Sequence, residues 1–209
     1  MKYPLIALTC LLACWIGNVS TAGEFNQVLS IGDAAPQWSE LPGVDDKLHS
    51  IADLKESKAV VIVFTCNSCP YAVDVEDRLI ALHKKYSGQS VSLVAINVNK
   101  VEDDLLPAMK EKANEKGFEF QYLFDETQGI AKEFGAKYTP EFFVLDGRRK
   151  IVYMGALDDR PDGNNVTKPH VELAIDAVLA GSSPEVTETV PVGCRIRMER
   201  ERRTRSASP

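Results

Sequence analysis

The chain has little histidine and only one Cys-x-x-Cys pair. Three histidines, His49, His83 and His170, are scattered over 209 residues. A structural zinc site takes four ligands, usually as two pairs, and only Cys194 and those lone histidines could complete a set begun by Cys66 and Cys69. Structural zinc is therefore the weaker reading of the pair. Positive charge is also short: 24 Lys and Arg stand against 30 Asp and Glu, a formal net charge of -6. That excludes a general affinity for nucleic acid, although six of the eleven residues from Arg195 to Arg205 are arginine. Nor is there an apolar run of the about 20 residues that a membrane-spanning helix needs. Internal repeats are absent.

What remains is an ordinary globular composition, 44% hydrophobic and 26% charged. Its length suits one domain with appendages. Met1-Lys2 is followed by an apolar stretch from Leu5 to Gly17, broken only by Thr9, and then by small and polar residues. This is the layout of a secretory signal over residues 1–22, with Ser20 and Ala22 as the small residues of a cut after Ala22. A periplasmic or secreted protein is expected. Leu11-Leu12-Ala13-Cys14 loosely resembles a lipobox, and a lipid on Cys14 would instead leave a membrane-anchored lipoprotein. Removal of the signal leaves Cys66, Cys69 and Cys194, an odd set in a compartment where disulfides persist, so one thiol lacks an intramolecular partner.

Ala59-Val60-Val61-Ile62-Val63-Phe64 is a continuous apolar, β-branched run, the pattern of a strand buried on both faces. Pro70 suits a first helical turn, and Val73, Leu79, Ile80, Leu82 and Tyr86 supply an apolar stripe ahead of Gly88. A second strand over 90–98 precedes an amphipathic helix carrying Leu105, Leu106, Met109 and Ala113, which closes at Gly117. Tyr122 to Phe124 is a short strand, and Thr127 caps a helix ending near Gly135. Residues 141–145 and 150–154 flank Asp146-Gly147 as a hairpin. A last helix over 169–180 has Thr167 as a nearby cap and Gly181 as its stop. This order predicts an α/β sandwich with a mixed sheet over residues 23–181. Residues 182–209 follow as a tail without periodicity, carrying Cys194 and the arginine-rich end.

Cys66-Asn67-Ser68-Cys69-Pro70 falls where the buried strand turns into the first helix. Free N-H groups and a partial positive charge at a helix N-terminus stabilise a thiolate there. Cys66 is then the exposed nucleophile, and Cys69, a turn inward, is the more buried thiol that resolves a mixed disulfide. A permanent structural disulfide between the two is the plainer alternative.

Residues 31–181 resemble the thioredoxin superfamily, in particular the exported redoxin branch of AhpC/TSA-like and TlpA/ResA-like proteins. Phe64-Thr65-Cys66-Asn67-Ser68-Cys69-Pro70-Tyr71 is similar to a group carrying Thr-Cys-Asn-x-Cys-Pro, and Gly32-Asp33-Ala34-Ala35-Pro36 is similar to the start of that branch's fold. Tyr138-Thr139-Pro140 resembles the cis-proline loop, which implies that Thr139 and Pro140 face the cysteine pair and bind substrate backbone. The extra helix between Cys66 and Pro140 resembles the redoxin insertion. The resemblance implies a thioredoxin-like fold and an enzyme of thiol-disulfide exchange. Its partners would be protein or small-molecule disulfides and thiols together with a further redox partner, with no cofactor or metal required.

The departures from the family pattern are specific. Thr65 stands where thioredoxins have Trp. Val63 stands where a peroxiredoxin has Thr three residues before its reactive cysteine, which weakens the alternative of a thiol peroxidase. Val60 and Val61 lie where thioredoxin keeps a buried acid, and Asp74, Glu76 and Glu141 are substitutes only if they are not simply solvated. A Sco-like copper protein is a further alternative, since soft thiolates select Cu(I). It would need three residues between the cysteines and a distant histidine, for which only His170 is available.

Cys194 lies in Val192-Gly193-Cys194-Arg195-Ile196, similar to a Gly-Cys segment near the end of the same group. Thirteen residues from Gly181 can extend ~43 Å, well beyond a domain radius of gyration of ~15 Å. Residues 190–196 could therefore pack back and bring Cys194 close to Cys66 as a third redox thiol, with Gly193 permitting a close approach. An idle, buried tail cysteine is the alternative.

Overall fold

A computed structural model describes residues 23–199. The signal segment, its cut after Ala22, Cys14 and the arginines beyond Glu199 lie outside the described residues. A short antiparallel pair, β1 (Leu41–Pro42) and β2 (Leu48–His49), precedes the main sheet. β3 (Ala59–Thr65) is buried at every position, as its apolar run requires. It lies at the centre of a five-stranded sheet with β4 (Val91–Asn97), β5 (Gln121–Phe124), β7 (Glu141–Leu145) and β8 (Ile151–Gly155), in the order β5-β4-β3-β7-β8. β3, β4 and β5 are parallel, while β7 runs antiparallel to both β3 and β8. The fold is thioredoxin-like, α/β with a mixed sheet.

Because strand side chains alternate, β3 feeds two cores. Ala59, Val61 and Val63 pack with Leu79 and Leu82 of α2 (Glu76–Tyr86), Met109 of α3 (Leu106–Lys116) and Ile175 of α5 (His170–Leu179). Val60, Ile62 and Phe64 pack on the opposite face with Trp38, Leu54 and Phe134, the last from α4 (Gly129–Phe134). Each such aliphatic or aromatic side chain contributes about 1.5–3 kcal/mol through burial. That fixes the C-terminal end of β3, and with it Cys66.

Local differences from the sequence reading have physical causes. The first helix is split: α1 (Pro70–Asp74) ends at Val75, which turns inward as a 3% exposed core residue, while Val73 stays exposed. The N-cap position of α4 is Gln128, in the left-handed region; Asp125 takes the Gly129 and Ala131 N-H groups, and the Thr127 hydroxyl also accepts from Gly129 N-H at 3.1 Å, as its expected capping role requires. Thr167 does not cap α5, because its N-H and hydroxyl both donate to Asp159. In the β7–β8 hairpin the left-handed residue is Arg149 rather than Gly147.

The segment after Gly181 is a strap across the domain. Met154 donates to Thr187 O at 3.0 Å and Thr189 donates to Met154 O at 3.1 Å. β9 (Cys194–Arg195) then pairs antiparallel with β6 (Tyr138–Thr139), with Thr139 opposite Cys194. Ile196 donates to Lys137 O at 2.8 Å and is itself buried. Main-chain pairing of this kind needs no side-chain periodicity, which is why the segment carries none.

Candidate active site

The end of β3, the start of α1, the loop before β7 and the strap bring three cysteines together. Cys66, Cys69 and Cys194 pack with Ala72 in one cluster. Cys69 and Cys194 are joined by a disulfide, with Cα atoms 6.1 Å apart, and Cys66 is the free thiol. This corrects two expectations. The odd thiol, which the sequence leaves unassigned, is Cys66, and Cys194 approaches Cys66 while bonding its neighbour rather than Cys66 itself. Cys66 is also not the exposed end of the pair: it is 2% exposed and Cys69 3%. The strap covers both.

Thr139 and Pro140 face the cysteines, and the Thr139–Pro140 peptide bond is cis. The Thr139 hydroxyl lies 3.4 Å from Cys66 Sγ, and its carbonyl oxygen lies 3.1 Å from Cys69 Sγ. A disulfide sulfur has no proton to donate, so the second contact becomes a hydrogen bond only when Cys69 is reduced.

Burial pushes the Cys66 thiol above its ordinary value. The Thr139 hydroxyl pulls it down, the Asp104 charge pushes it up, and the Cys69 N-H and Ser68 pull it down. The helix-end effect expected from sequence is therefore outweighed. The helix that would supply it, α1, is only five residues long and opens on Pro70, which has no N-H, while the fully buried Asp104 places its carboxylate on the Asn67 and Ser68 N-H groups just ahead of the helix.

The Asn67 and Ser68 N-H groups donate to Asp104 Oδ1 at 2.5 and 2.9 Å, and the Ser68 hydroxyl donates to Oδ2 at 2.6 Å. Asn97 donates to the Asp104 carbonyl at 3.0 Å, and Tyr122 donates to Asn67 Oδ1 at 2.7 Å. Sequence reasoning missed Asp104. Its signal was three consecutive acids, Glu102-Asp103-Asp104, in a segment too short to place. Of the substitutes considered for a buried acid, Asp74 is exposed, but Glu76 and Glu141 are each 5% exposed. Glu76 bonds Lys112 at 2.8 Å and meets Lys116 at 3.1 Å. Glu141 accepts from the Lys137 and Tyr138 N-H groups, and burial raises its pKa in spite of them. Both are buried carboxyl groups held by partners from the folded chain, not solvated side chains.

Among the described residues no group of three or more His, Cys, Asp or Glu is arranged to hold a metal ion. His170 stacks on Tyr153, and it is not part of the cluster formed by Cys66, Cys69 and Cys194. No helix among the described residues is long and apolar enough to cross a membrane.

Gly193 is where the strap comes closest. A Cβ there would lie 2.3 Å from Thr139 O and 3.0 Å from Pro140 N, both backbone atoms. Gly193→Ala is expected to lift the strap at a cost of about 1–3 kcal/mol. Disulfide mapping should then recover less Cys69–Cys194 linkage than in the parent, and an equal yield would count against the close approach.

Residues 31–154 match the model of the AhpC/TSA family. The structure is similar to a hypothetical protein from Sinorhizobium meliloti 1021, with 32% identity and a TM-score of 0.78 over 84% of this chain and 98% of that one. It is equally similar to an uncharacterized conserved protein from Geobacillus kaustophilus, with 36% identity and a TM-score of 0.78 over 84% and 96% of the two chains. A thiol:disulfide interchange protein of the thioredoxin family from Chlorobium tepidum TLS shares the fold at 20% identity, with a TM-score of 0.55 over 73% and 97%. No match was found among curated proteins.

Proposed function

The chain belongs to the AhpC/TSA family of redox enzymes, and from that premise we propose that it is an exported thiol-disulfide oxidoreductase whose working residues are Cys66 and Cys69. The observation that carries this reading is a free thiol and a disulfide packed in one cluster beside Thr139 and Pro140. Both reactants of an exchange reaction are in contact. Cys66 attacks a target disulfide as the thiolate, forming a mixed disulfide and releasing one target thiolate, which takes up a proton. Cys69, once reduced, attacks Cys66 Sγ and releases the second target thiol. Thr139 has its hydroxyl on the nucleophile and its carbonyl on the resolving sulfur, so it orients both. The targets are disulfides of proteins or small molecules, and a separate redox partner returns the enzyme to its starting state. Reduction of insulin disulfides by the full chain with a thiol reductant tests the reading. Acceleration over the reductant alone supports it, and none refutes it.

Export is supported by the apolar run and by Ser20-Thr21-Ala22 at the end of the signal segment. Mass spectrometry of native material is expected to find Gly23 as the first residue. A lipid on Cys14 would show tethering instead, and an intact Met1 in soluble cytosolic protein would overturn export.

A further inference from the structure

We propose that Cys194 is a third redox residue of this enzyme. On this view Cys69 is shared between two alternative disulfides, and a negatively charged thiol reduces the Cys69–Cys194 form from a basic cleft. The proposal rests on the exchange reaction above and deepens it.

Cys66, in contact with both partners, is 2% exposed and cannot meet a substrate while the strap lies over it. Cys194 is half-buried and lines a cleft of about 480 Å³ together with Cys69. Three cations, Lys100, Arg195 and Arg197, line the same cleft. Its one carboxylate, Glu199, is held by Lys100 at 3.0 Å. Arg195 and Arg197 are exposed and take no acidic partner among the described residues. A space of this size suits a small molecule, and the charge suits one bearing carboxylates, such as a glutathione-type thiol.

The cycle balances as follows. Cys66 and then Cys69 reduce the target, and the enzyme is left with a Cys66–Cys69 disulfide, two electrons poorer. The strap closes, Cys194 thiolate attacks Cys69 Sγ, the Cys69–Cys194 bond forms, and Cys66 leaves as the thiolate. No electrons enter or leave in that step. An external thiol then attacks Cys194 Sγ, the more accessible sulfur, forming a mixed disulfide and releasing Cys69 thiolate. A second thiol attacks the external sulfur, leaves as the oxidised dimer and frees Cys194. Two thiols are oxidised for one target disulfide reduced. Opening the bond releases the strap and uncovers Cys66 for the next target.

The test combines single turnover with steady state on the full chain. Reduced protein is mixed with one equivalent of insulin disulfide, quenched in acid, alkylated and mapped. In the parent, Cys66–Cys69 linkage is expected first and Cys69–Cys194 later. Cys194→Ala should form Cys66–Cys69 and go no further, and a far-ultraviolet circular dichroism spectrum like the parent's shows that the variant is folded. Its glutathione-driven turnover should fall at least about tenfold. Arg195→Ala with Arg197→Ala should slow turnover with glutathione but not with uncharged dithiothreitol. The relay is overturned if Cys194→Ala turns over like the parent, or if the parent never passes from one linkage to the other. Equal effects of the arginine changes on both thiols overturn the charged cleft. Failure of the relay alone leaves Cys66→Ser inactive and Cys194→Ala active, whereas failure of the exchange reaction leaves the parent inactive.

Discussion

Cys66→Ser is expected to lower insulin reduction by roughly 10³-fold or more, the scale seen when a nucleophile is removed from a concerted site. A serine hydroxyl is not ionised near neutral pH and cannot form or exchange a disulfide. The change is otherwise small. Serine keeps a polar atom near the Thr139 hydroxyl, which lies 3.4 Å from the present sulfur, and the Cys69–Cys194 bond does not involve position 66. The variant should therefore fold with that disulfide intact, and mapping can establish this on the same sample. Activity close to the parent would mean that Cys69 and Cys194 alone exchange with the target and that Cys66 is only a buried thiol.

The sheet and the position of the cysteines were legible because they rest on local patterns. The branched run of β3 can only be a buried strand, and Pro70 after Cys69 marks the turn into α1. Thr139-Pro140 was legible by resemblance. What escaped depends on contacts between distant segments. Asp104 gains its role from burial beneath the Cys66–Cys69 loop, and nothing in its neighbours separates it from Asp103, which is exposed. The strap lies on main-chain hydrogen bonds and on two glycines that allow contact closer than any side chain would: Gly193 against Thr139, and Gly155 against Thr189. With the strap unseen, Cys66 read as exposed and the odd thiol stayed unassigned. Glu76 and Glu141 read as solvated because the partners that permit their burial, Lys112, Lys116 and the Lys137–Tyr138 backbone, are supplied by the folded chain.

Asp104→Ala is expected to have the largest effect on the integrity of the site without removing a sulfur. The carboxylate satisfies two backbone N-H groups and one hydroxyl in the loop between the reactive cysteines. A hydrogen bond to a charged acceptor contributes about 1.5–3 kcal/mol. Ser68 is exposed and Asn67 half-buried, so water can replace part of what is lost. A net destabilisation of roughly 3 kcal/mol follows, or a Tm lower by about 10 °C. Asp104→Asn separates charge from hydrogen bonding. The amide oxygen can still accept both N-H groups, so most of the stability should return. The negative charge that disfavours the Cys66 thiolate is gone, and the Cys66 pKa should fall. The sign can be read on protein with Cys69–Cys194 intact, where Cys66 is the one free thiol among the described residues. In the parent, burial first and Asp104 next hold the thiol protonated, so its ultraviolet thiolate absorbance, which needs no reagent to enter the covered site, should reach half-maximum above the ordinary thiol pKa of about 8.5. A thiol raised in this way stabilises the fold below its unfolded pKa, and that contribution is lost as pH rises through the folded value. Asp104→Asn should move the thiolate-absorbance midpoint to lower pH and weaken the alkaline loss of stability, while Asp104→Ala lowers stability at every pH. An unchanged midpoint in Asp104→Asn would mean that the carboxylate holds the loop without acting on the thiol.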